Sequence, residues 1–340
     1  MSNLEHFDFT DLSVGINAQQ AQTGKYLISP ELNNAVRVAM FLKLPLLITG
    51  KPGTGKTMLA YKLAQDLSAT FEKRFLPFPL KFNTKTTSVF TDLLYNYDAL
   101  GHFHRSNIKN LERSPVDKIK IADFIQLNAL GQAIMLSAGH YRSDYQSMSE
   151  ISKYLSSQVI EKLGEPMSTV VLIDEVDKAP RDFTNDLLNE LDRFEFTLKE
   201  DHNQTYKKGT GDIFIIITSN SEKGLPDAFL RRCVFFHIEP PSDEFLKQVL
   251  LAKLIDHRAS TAQGIDEQLI TNYISIFNKI KAKISKKEPS TAELINWMLY
   301  LQPYFSKGIQ FSDISPDIQD ASYGILAKTT EDLKEIKTLF

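Results

Sequence analysis

Apolar residues along the chain fall into two recurring patterns. From Pro30 to Leu42, Leu32, Val36, Ala39 and Met40 recur at helical spacing. Leu44 to Thr49 is instead a continuous apolar run, and a glycine-rich segment, Gly50 to Gly55, follows it. From Lys56 to about Ala69, Leu59, Leu63 and Leu67 stand four apart, which predicts a second helix. Three more apolar runs read as strands: Thr169 to Asp174, Ile213 to Thr218 and Val234 to Ile238; Leu80 to Thr84 is a weaker one. Continuous apolar runs separated by helices predict a parallel sheet covered on both faces. Pro240-Pro241 breaks this pattern, and helical spacing dominates beyond it, over Glu244 to Ile255, Glu267 to Ile280 and Thr291 to Leu301.

The expected organisation is therefore a polar lead-in over 1–24, an α/β domain over 25–240 and a small helical domain over 241–340. Residues 85–165 exceed what one sheet crossover needs. They hold two insert-like stretches. Leu93 to Ile108 carries Tyr95, Tyr97, His102, Phe103, His104 and Arg105, and His140 to Ser157 is polar and rich in Ser and Tyr.

Composition narrows the class without choosing a function. The 340 residues, 42% hydrophobic, suffice for two cores. The net charge of −3 gives no overall basic surplus of the kind that favours nucleic acid. A single cysteine, Cys233, excludes an intramolecular disulfide and suits a reducing compartment. Met1 to Asp11 is polar and acidic, unlike a secretory leader, and no apolar stretch approaches the roughly 20 residues of a membrane helix. A cytoplasmic protein with no membrane contact is expected.

The segment Gly50-Lys51-Pro52-Gly53-Thr54-Gly55-Lys56-Thr57 fits G-x-x-x-x-G-K-[ST] between a strand and a helix. Glycines let the backbone curl so that successive N–H groups face an anion, and the following helix N-terminus adds positive potential. Gly50 through Met58 are thus the candidate nucleotide-binding residues, with Lys56 reaching the β- and γ-phosphates and Thr57 supplying a hydroxyl to Mg²⁺. Asp174-Glu175 ends an apolar strand, the position where ligands bind in an open α/β sheet. Asp174 is the candidate second Mg²⁺ ligand and Glu175 the candidate general base for water; a plain solvated strand end is the alternative. Asp177 and Lys178 read as structural. Asn220 follows another strand and is a candidate for orienting the attacking water, against the alternative of a turn asparagine. Arg231-Arg232 precede the last strand; they read either as charge-stabilising arginines aimed at a neighbouring subunit's site or as surface residues.

These residues together resemble the AAA+ ATPases, and within them the MoxR family, over roughly residues 25–340. The resemblance rests on "ISPELNNAVRVAMFLKLPLLITGKPGTGKTMLAYKLA", "LIDEVDKAPRDFTNDLLNELDRFEF" and "IIITSNSEKGLPDAFLRRCVFFHIEPP". The stretch "TTSVFTDLLYNYDALGHF", at about 85–110, resembles the helix-2 insert of the clade that also holds magnesium-chelatase subunits, dynein-type motors and McrB-type GTPases. "PSTAELINWMLYL" and "YGILAKTTEDL" resemble the helical lids of MoxR-type ATPases that accompany von Willebrand factor A proteins.

The resemblance implies a P-loop sheet sandwiched by helices with an α-helical lid, ATP and Mg²⁺ as cofactors, and a homo-oligomeric, hexameric ring. It makes Lys56 and Thr57 Walker A, Asp174 and Glu175 Walker B, Asn220 sensor 1 and Arg232 the arginine finger, with Arg231 as the substitute. Asn83 is a weaker match to the polar residue that restrains the catalytic glutamate. One departure stands out: where such lids carry a sensor 2 arginine, this chain reads Lys286-Lys287-Glu288-Pro289-Ser290-Thr291. Lysine is a point charge rather than a bidentate fork, so either the lysines substitute imperfectly or the lid couples more weakly.

The leading expectation is an ATP-driven remodeller of a partner protein, with a von Willebrand factor A protein as the client that the resemblance suggests. The alternatives are a nucleic-acid-acting motor of McrB type and a slowly hydrolysing, nucleotide-gated scaffold. For nucleic acid, only the aromatic and basic residues around Phe103 and the pair Lys207-Lys208, placed in a loop, are candidates. No N-K-x-D guanine motif is present, which disfavours GTP. His102, His104, His140, His202 and His237 have no metal-ligand spacing.

Overall fold

The computed structural model describes residues 26–71, 74–111, 120–191, 193–221, 224–256 and 267–339. The expected lead-in, 1–24, lies outside them. The chain divides into two compact units: one of Ile28–Thr49 and Lys56–His237, the other of Gly50–Gly55 and Ile238–Phe340 with Tyr26 and Leu27. The glycine-rich loop thus groups with the C-terminal helices, although it is continuous in sequence with the strand and helix on either side.

In the first unit the elements run α1 (Pro30–Leu42), β1 (Leu46–Gly50), α2 (Lys56–Thr70), β2 (Leu80–Asn83), α3 (Thr91–Leu94), β3 (Tyr95–Tyr97), α4 (Ala99–Leu111) and β4 (Ile125–Leu127). They continue as α5 (Ala129–Ser137), α6 (Gln146–Ser152), α7 (Ser157–Ile160), β5 (Thr169–Asp174), α8 (Arg181–Leu191), β6 (Glu195–Leu198), β7 (Gln204–Lys207), β8 (Ile213–Ser219), α9 (Asp227–Leu230) and β9 (Val234–Ile238). Ser29 caps α1, its hydroxyl accepting the Leu32 N–H at 3.2 Å, and Pro30 supplies the preset φ that suits a first turn.

Five strands form the central sheet in the order β2-β5-β8-β1-β9. β1 with β8, β8 with β5, and β5 with β2 all pair parallel. The sequence explains the order. β1 and β5 are buried at every position and carry no alternation, as strands covered on both faces require. β9 alternates between exposed and half-buried, as an edge can. The core around the sheet includes Leu47, Val171, Ile173, Ile215 and Ile217.

The insert stretches have their own structure. β3 pairs antiparallel with β4, setting Tyr95 opposite Leu127. Tyr97 hydroxyl meets His102 Nδ1 at 2.5 Å, and the His102 ring stacks on Phe124 with centroids 4.7 Å apart. Tyr95 packs against Phe196 at 6.2 Å. These aromatics therefore hold the insert together, whereas Leu100 and Phe103 on α4 face solvent at 73% and 63% exposure. Arg105 lies over Phe124, 5.9 Å from its centroid, and 3.6 Å from Asp123. The stretch read as a polar insert, 140–157, is instead folded onto the core: Tyr145, Met148 and Ile151 are buried, and Tyr145 hydroxyl donates to Asp201 at 2.8 Å.

Lys207 does not lie in a loop. It ends β7, which pairs with β6 in a hairpin, and its ammonium is 2.8 Å from Glu195.

The second unit carries α10 (Asp243–Asp256), α11 (Glu267–Lys283), α12 (Thr291–Phe305), α13 (Pro316–Leu326) and α14 (Thr330–Lys337). Its core is aromatic: Trp297 lies 5.8 Å from Tyr273 and 5.4 Å from Phe311 between ring centroids, and its indole N–H donates to Ser322 at 3.0 Å. A buried Trp that has found its acceptor carries no unpaired polar cost. α12 starts on a capping box in which the Ser290 N–H donates to Glu293 at 2.6 Å.

Candidate functional site

The loop from Gly50 to Gly55 takes backbone conformations that its glycines allow. Gly53 has φ of 78° and Gly55 of 87°, in the left-handed region. A Cβ on Gly53 would stand 2.6 Å from Ser290 Oγ, and one on Gly55 2.6 Å from the Tyr26 ring. Both space and φ therefore demand glycine. Thr54 hydroxyl closes the turn on the Lys51 carbonyl at 2.9 Å, while Pro52 is exposed. Lys51 ammonium pairs with Glu288 at 2.9 Å. In the stretch Lys286 to Thr291 it is thus Glu288 and Ser290 that approach the loop, and Lys286 and Lys287 are exposed. α2 opens at Lys56, so its N-terminal N–H groups and positive end follow the loop directly.

Within the first unit, further candidate residues gather where β5 and β8 end. Thr57 hydroxyl donates to Asp174 Oδ1 at 3.0 Å, with Oδ2 at 3.3 Å. Thr218 hydroxyl donates to the same Oδ1 at 2.5 Å and accepts the Glu175 N–H at 3.0 Å. Lys81 ammonium lies 2.8 Å from Asp174 Oδ2. Burial works against ionising Asp174, but the hydrogen bonds from Lys81, Thr218 and Thr57 outweigh it and hold the carboxyl below its usual range. Lys56 is buried and its ammonium is lowered from its ordinary value by desolvation, against the pull of Asp177, Asp174 and Glu175. Thr57 and Asp174 together offer hydroxyl and carboxylate oxygens, a donor set that fits a hard cation such as Mg²⁺. Met58 is half-buried in the first turn of α2.

Glu175 adopts a left-handed conformation, φ 58° and ψ 50°, on the order of 1–3 kcal/mol above the usual regions for a non-glycine residue. Its N–H bond to Thr218 helps to hold it there. Strain of this kind re-aims a side chain at the end of a strand, and Glu175 projects from the buried strand to a half-exposed position, where it pairs with Lys178. That pairing raises the Lys178 ammonium above its usual value, chiefly through the hydrogen bond.

Asp177 is a structural carboxylate of the turn, as its position led one to expect. Its Oδ1 accepts both the Ser219 hydroxyl at 3.1 Å and the Asn220 N–H at 3.0 Å, which ties the end of β8 to the turn after β5. Asn220 is thereby fixed one strand from Glu175. Asn83 stands opposite Asp174 in the β2–β5 register and is exposed. Arg231 and Arg232 follow α9 at the entry to β9, both exposed. β9 is three strand positions from β5, about 14 Å at the usual ~4.8 Å spacing. The structure therefore brings Lys56, Thr57, Asp174, Glu175 and Asn220 to the ends of adjacent strands and leaves the arginines at the sheet edge. Sequence reasoning passed over Thr218 and Lys81. Their contacts follow from strand neighbours that the spacing of residues along the chain does not reveal.

A parallel sheet in this order, with a phosphate-loop sequence after β1 and an acidic pair after β5, defines a P-loop nucleoside triphosphatase of the AAA+ type. Residues 45–233, more than half of the 340, match the AAA domain of the dynein-related subfamily, and the chain belongs to that family. Among solved structures it is similar to domain III of the Thermotoga maritima replication initiation protein DnaA, at 12% identity over 93% of this chain and 100% of that one, with a TM-score of 0.41. Comparison with curated proteins finds no match. Among the described residues, no helix is long and apolar enough to cross a membrane.

Proposed function

We propose that this chain binds ATP with Mg²⁺ and hydrolyses it in a homo-oligomeric, hexameric ring, and that the ring remodels a partner protein in the cytoplasm. The MoxR resemblance points to a von Willebrand factor A protein as that partner. The observation that carries the reading is the Asp174 carboxylate. It takes the Thr57 hydroxyl at 3.0 Å and is followed directly by a strained, outward-facing Glu175.

In this reading Thr57 and Asp174 hold the metal, which would supply charge neutralisation on the phosphates. Lys56 binds the β- and γ-phosphates. Glu175 accepts the proton of the attacking water at its carboxylate once it releases Lys178, and Asn220 orients that water. Arg232 acts on the site of the neighbouring subunit. The alternative nucleic-acid motor is weakened by the pairing of Lys207 with Glu195, which neutralises one of its few candidate cations.

Glu175→Gln tests the reading. ATP binding should stay near normal while turnover falls at least about 10²-fold, the usual scale for losing a general base. Co-purification from native cells with this variant should enrich the partner over wild type. An equal loss of binding and turnover would instead make Glu175 a structural or metal-holding residue.

A second expectation concerns the insert. Exposed Phe103 and Arg105 on α4 suit a partner-facing surface. Replacing both with alanine should leave basal ATPase within about twofold, because both side chains are largely exposed and exposed substitutions are usually near neutral, and should uncouple it from the partner. A large drop in melting temperature would show that they pack the insert instead.

A further inference from the structure

Lys81 has no role in the reading above, yet its ammonium pairs with Asp174 at 2.8 Å. It lies on β2 opposite Leu172 in the parallel register, two residues before Asp174 on β5. Successive side chains of a strand alternate between faces, so Lys81, Leu172 and Asp174 share one face of the sheet. Phe82 points to the other face, where it stacks on Phe183 with centroids 6.1 Å apart. The backbone thus aims the Lys81 stem along the sheet toward the end of β5.

The ammonium and the Thr57 hydroxyl meet at the same oxygen: Oδ2 is 2.8 Å from Lys81 Nζ and 3.3 Å from Thr57 Oγ1. Oδ1 is taken by Thr57 and Thr218 at 3.0 and 2.5 Å. A cation bound between Thr57 and Asp174 would need one of these lone pairs, and both hydroxyls can rotate their protons away while remaining in place. An ammonium cannot: it has three donors, no acceptor and a fixed charge of the metal's own sign. The Lys81 side chain is 29% exposed, so it has solvent to withdraw into.

We propose that Lys81 competes with the divalent cation for Asp174, and so sets the metal concentration at which the nucleotide site fills. The proposal rests on Thr57 and Asp174 being the metal-binding pair. Lys81 neutralises the Asp174 carboxylate, and metal uptake displaces its ammonium from Oδ2. It is a positioning residue, since it acts through Asp174.

The test uses Mn²⁺ as the probe, followed by loss of its free-ion paramagnetic resonance signal in the presence of a non-hydrolysable ATP analogue. Wild type, Lys81→Met and Lys81→Arg are compared, with Lys81→Gln as the substitute should the methionine variant lose its melting transition. Metal-free nucleotide binding is read separately by fluorescence of a labelled ATP in EDTA. Removing the competitor should tighten Mn²⁺ about 5- to 100-fold, the usual range for two coupled binding events. The same change should weaken metal-free nucleotide binding, because a positive charge near the phosphates is lost. Lys81→Arg should resemble wild type in both. A purely structural ion pair would not move the two measurements in opposite directions. Mn²⁺ affinity that is unchanged or weaker in Lys81→Met overturns the competition. If wild type takes up no Mn²⁺ with the analogue, and Asp174→Asn behaves identically, the metal assignment fails and the competition with it.

Discussion

Lys56→Ala should lose nucleotide binding while keeping its fold. Lys56 opens α2 directly after the loop, so its backbone N–H group and its ammonium both belong to the anion-binding end of the helix. Two charge-assisted hydrogen bonds to the β- and γ-phosphates, at about 1.5–3 kcal/mol each, correspond to a loss on the order of 10²- to 10⁴-fold in affinity. Lys56 is also buried beside Asp174, Glu175 and Asp177, so removing it exposes their mutual repulsion and should lower the melting temperature modestly. Isothermal titration with ATP and Mg²⁺ reads the first effect and thermal denaturation the second. Near-normal affinity in a folded variant would remove the loop from the nucleotide site. Lys56→Met, which keeps the apolar stem, separates lost charge from lost packing.

The strands that build the sheet were legible because burial on both faces leaves continuous apolar runs, and Thr169 to Asp174 shows the whole of β5. The same physics hid α5. It is buried at nearly every position, including Gly131, so it has no polar face to mark a helical period. The β6–β7 hairpin was missed for a different reason. Its turn places His202 and Asn203 at φ of 55° each, without the glycine that usually signals such a turn. β7 has only one buried position, Tyr206, and its Thr and Lys residues read as loop.

In the site, the residues of contiguous motifs could be read directly, since their chemistry depends on neighbours in sequence. The partners of Asp177 could not: the bonds from Ser219 and Asn220 depend on how the turn after β5 lies against β8. Lys81 needed the register of β2 on β5, and no periodicity in four residues fixes a register. His237 shows the converse. It has no metal-ligand spacing, and its ring nitrogen Nδ1 meets the hydroxyl of buried Thr49 at 2.8 Å, the ordinary satisfaction of a buried polar group.

The position of the arginines leads to the largest expected effect on turnover. Lys56, Thr57, Asp174, Glu175 and Asn220 gather at the ends of neighbouring strands, while Arg231 and Arg232 stand at the edge strand, exposed. If Arg232 acts on phosphate, it does so on the site of another copy. Such a contact is heterologous, one face of the subunit meeting a different face of the next, and it closes into a ring when the rotation permits. Activity should then rise more steeply than in proportion to protein concentration. Arg232→Ala should lower turnover about 10³- to 10⁵-fold, the range for an arginine finger, with ATP binding little changed. Arg232→Lys should recover little, because a point charge does not reproduce the planar fork. Mixing decides between acting across the interface and acting within the subunit. Glu175→Gln and Arg232→Ala are each dead alone, but in a mixed ring some interfaces pair an intact Glu175 with an intact Arg232. Random assembly from equal amounts places such a pair at about one interface in four, so recovered hydrolysis should approach that fraction of wild type if sites fire independently. A mixture that co-assembles yet stays dead would assign Arg232 to its own subunit or to no catalytic role, and the same mixture made with Arg231→Ala would then test its neighbour.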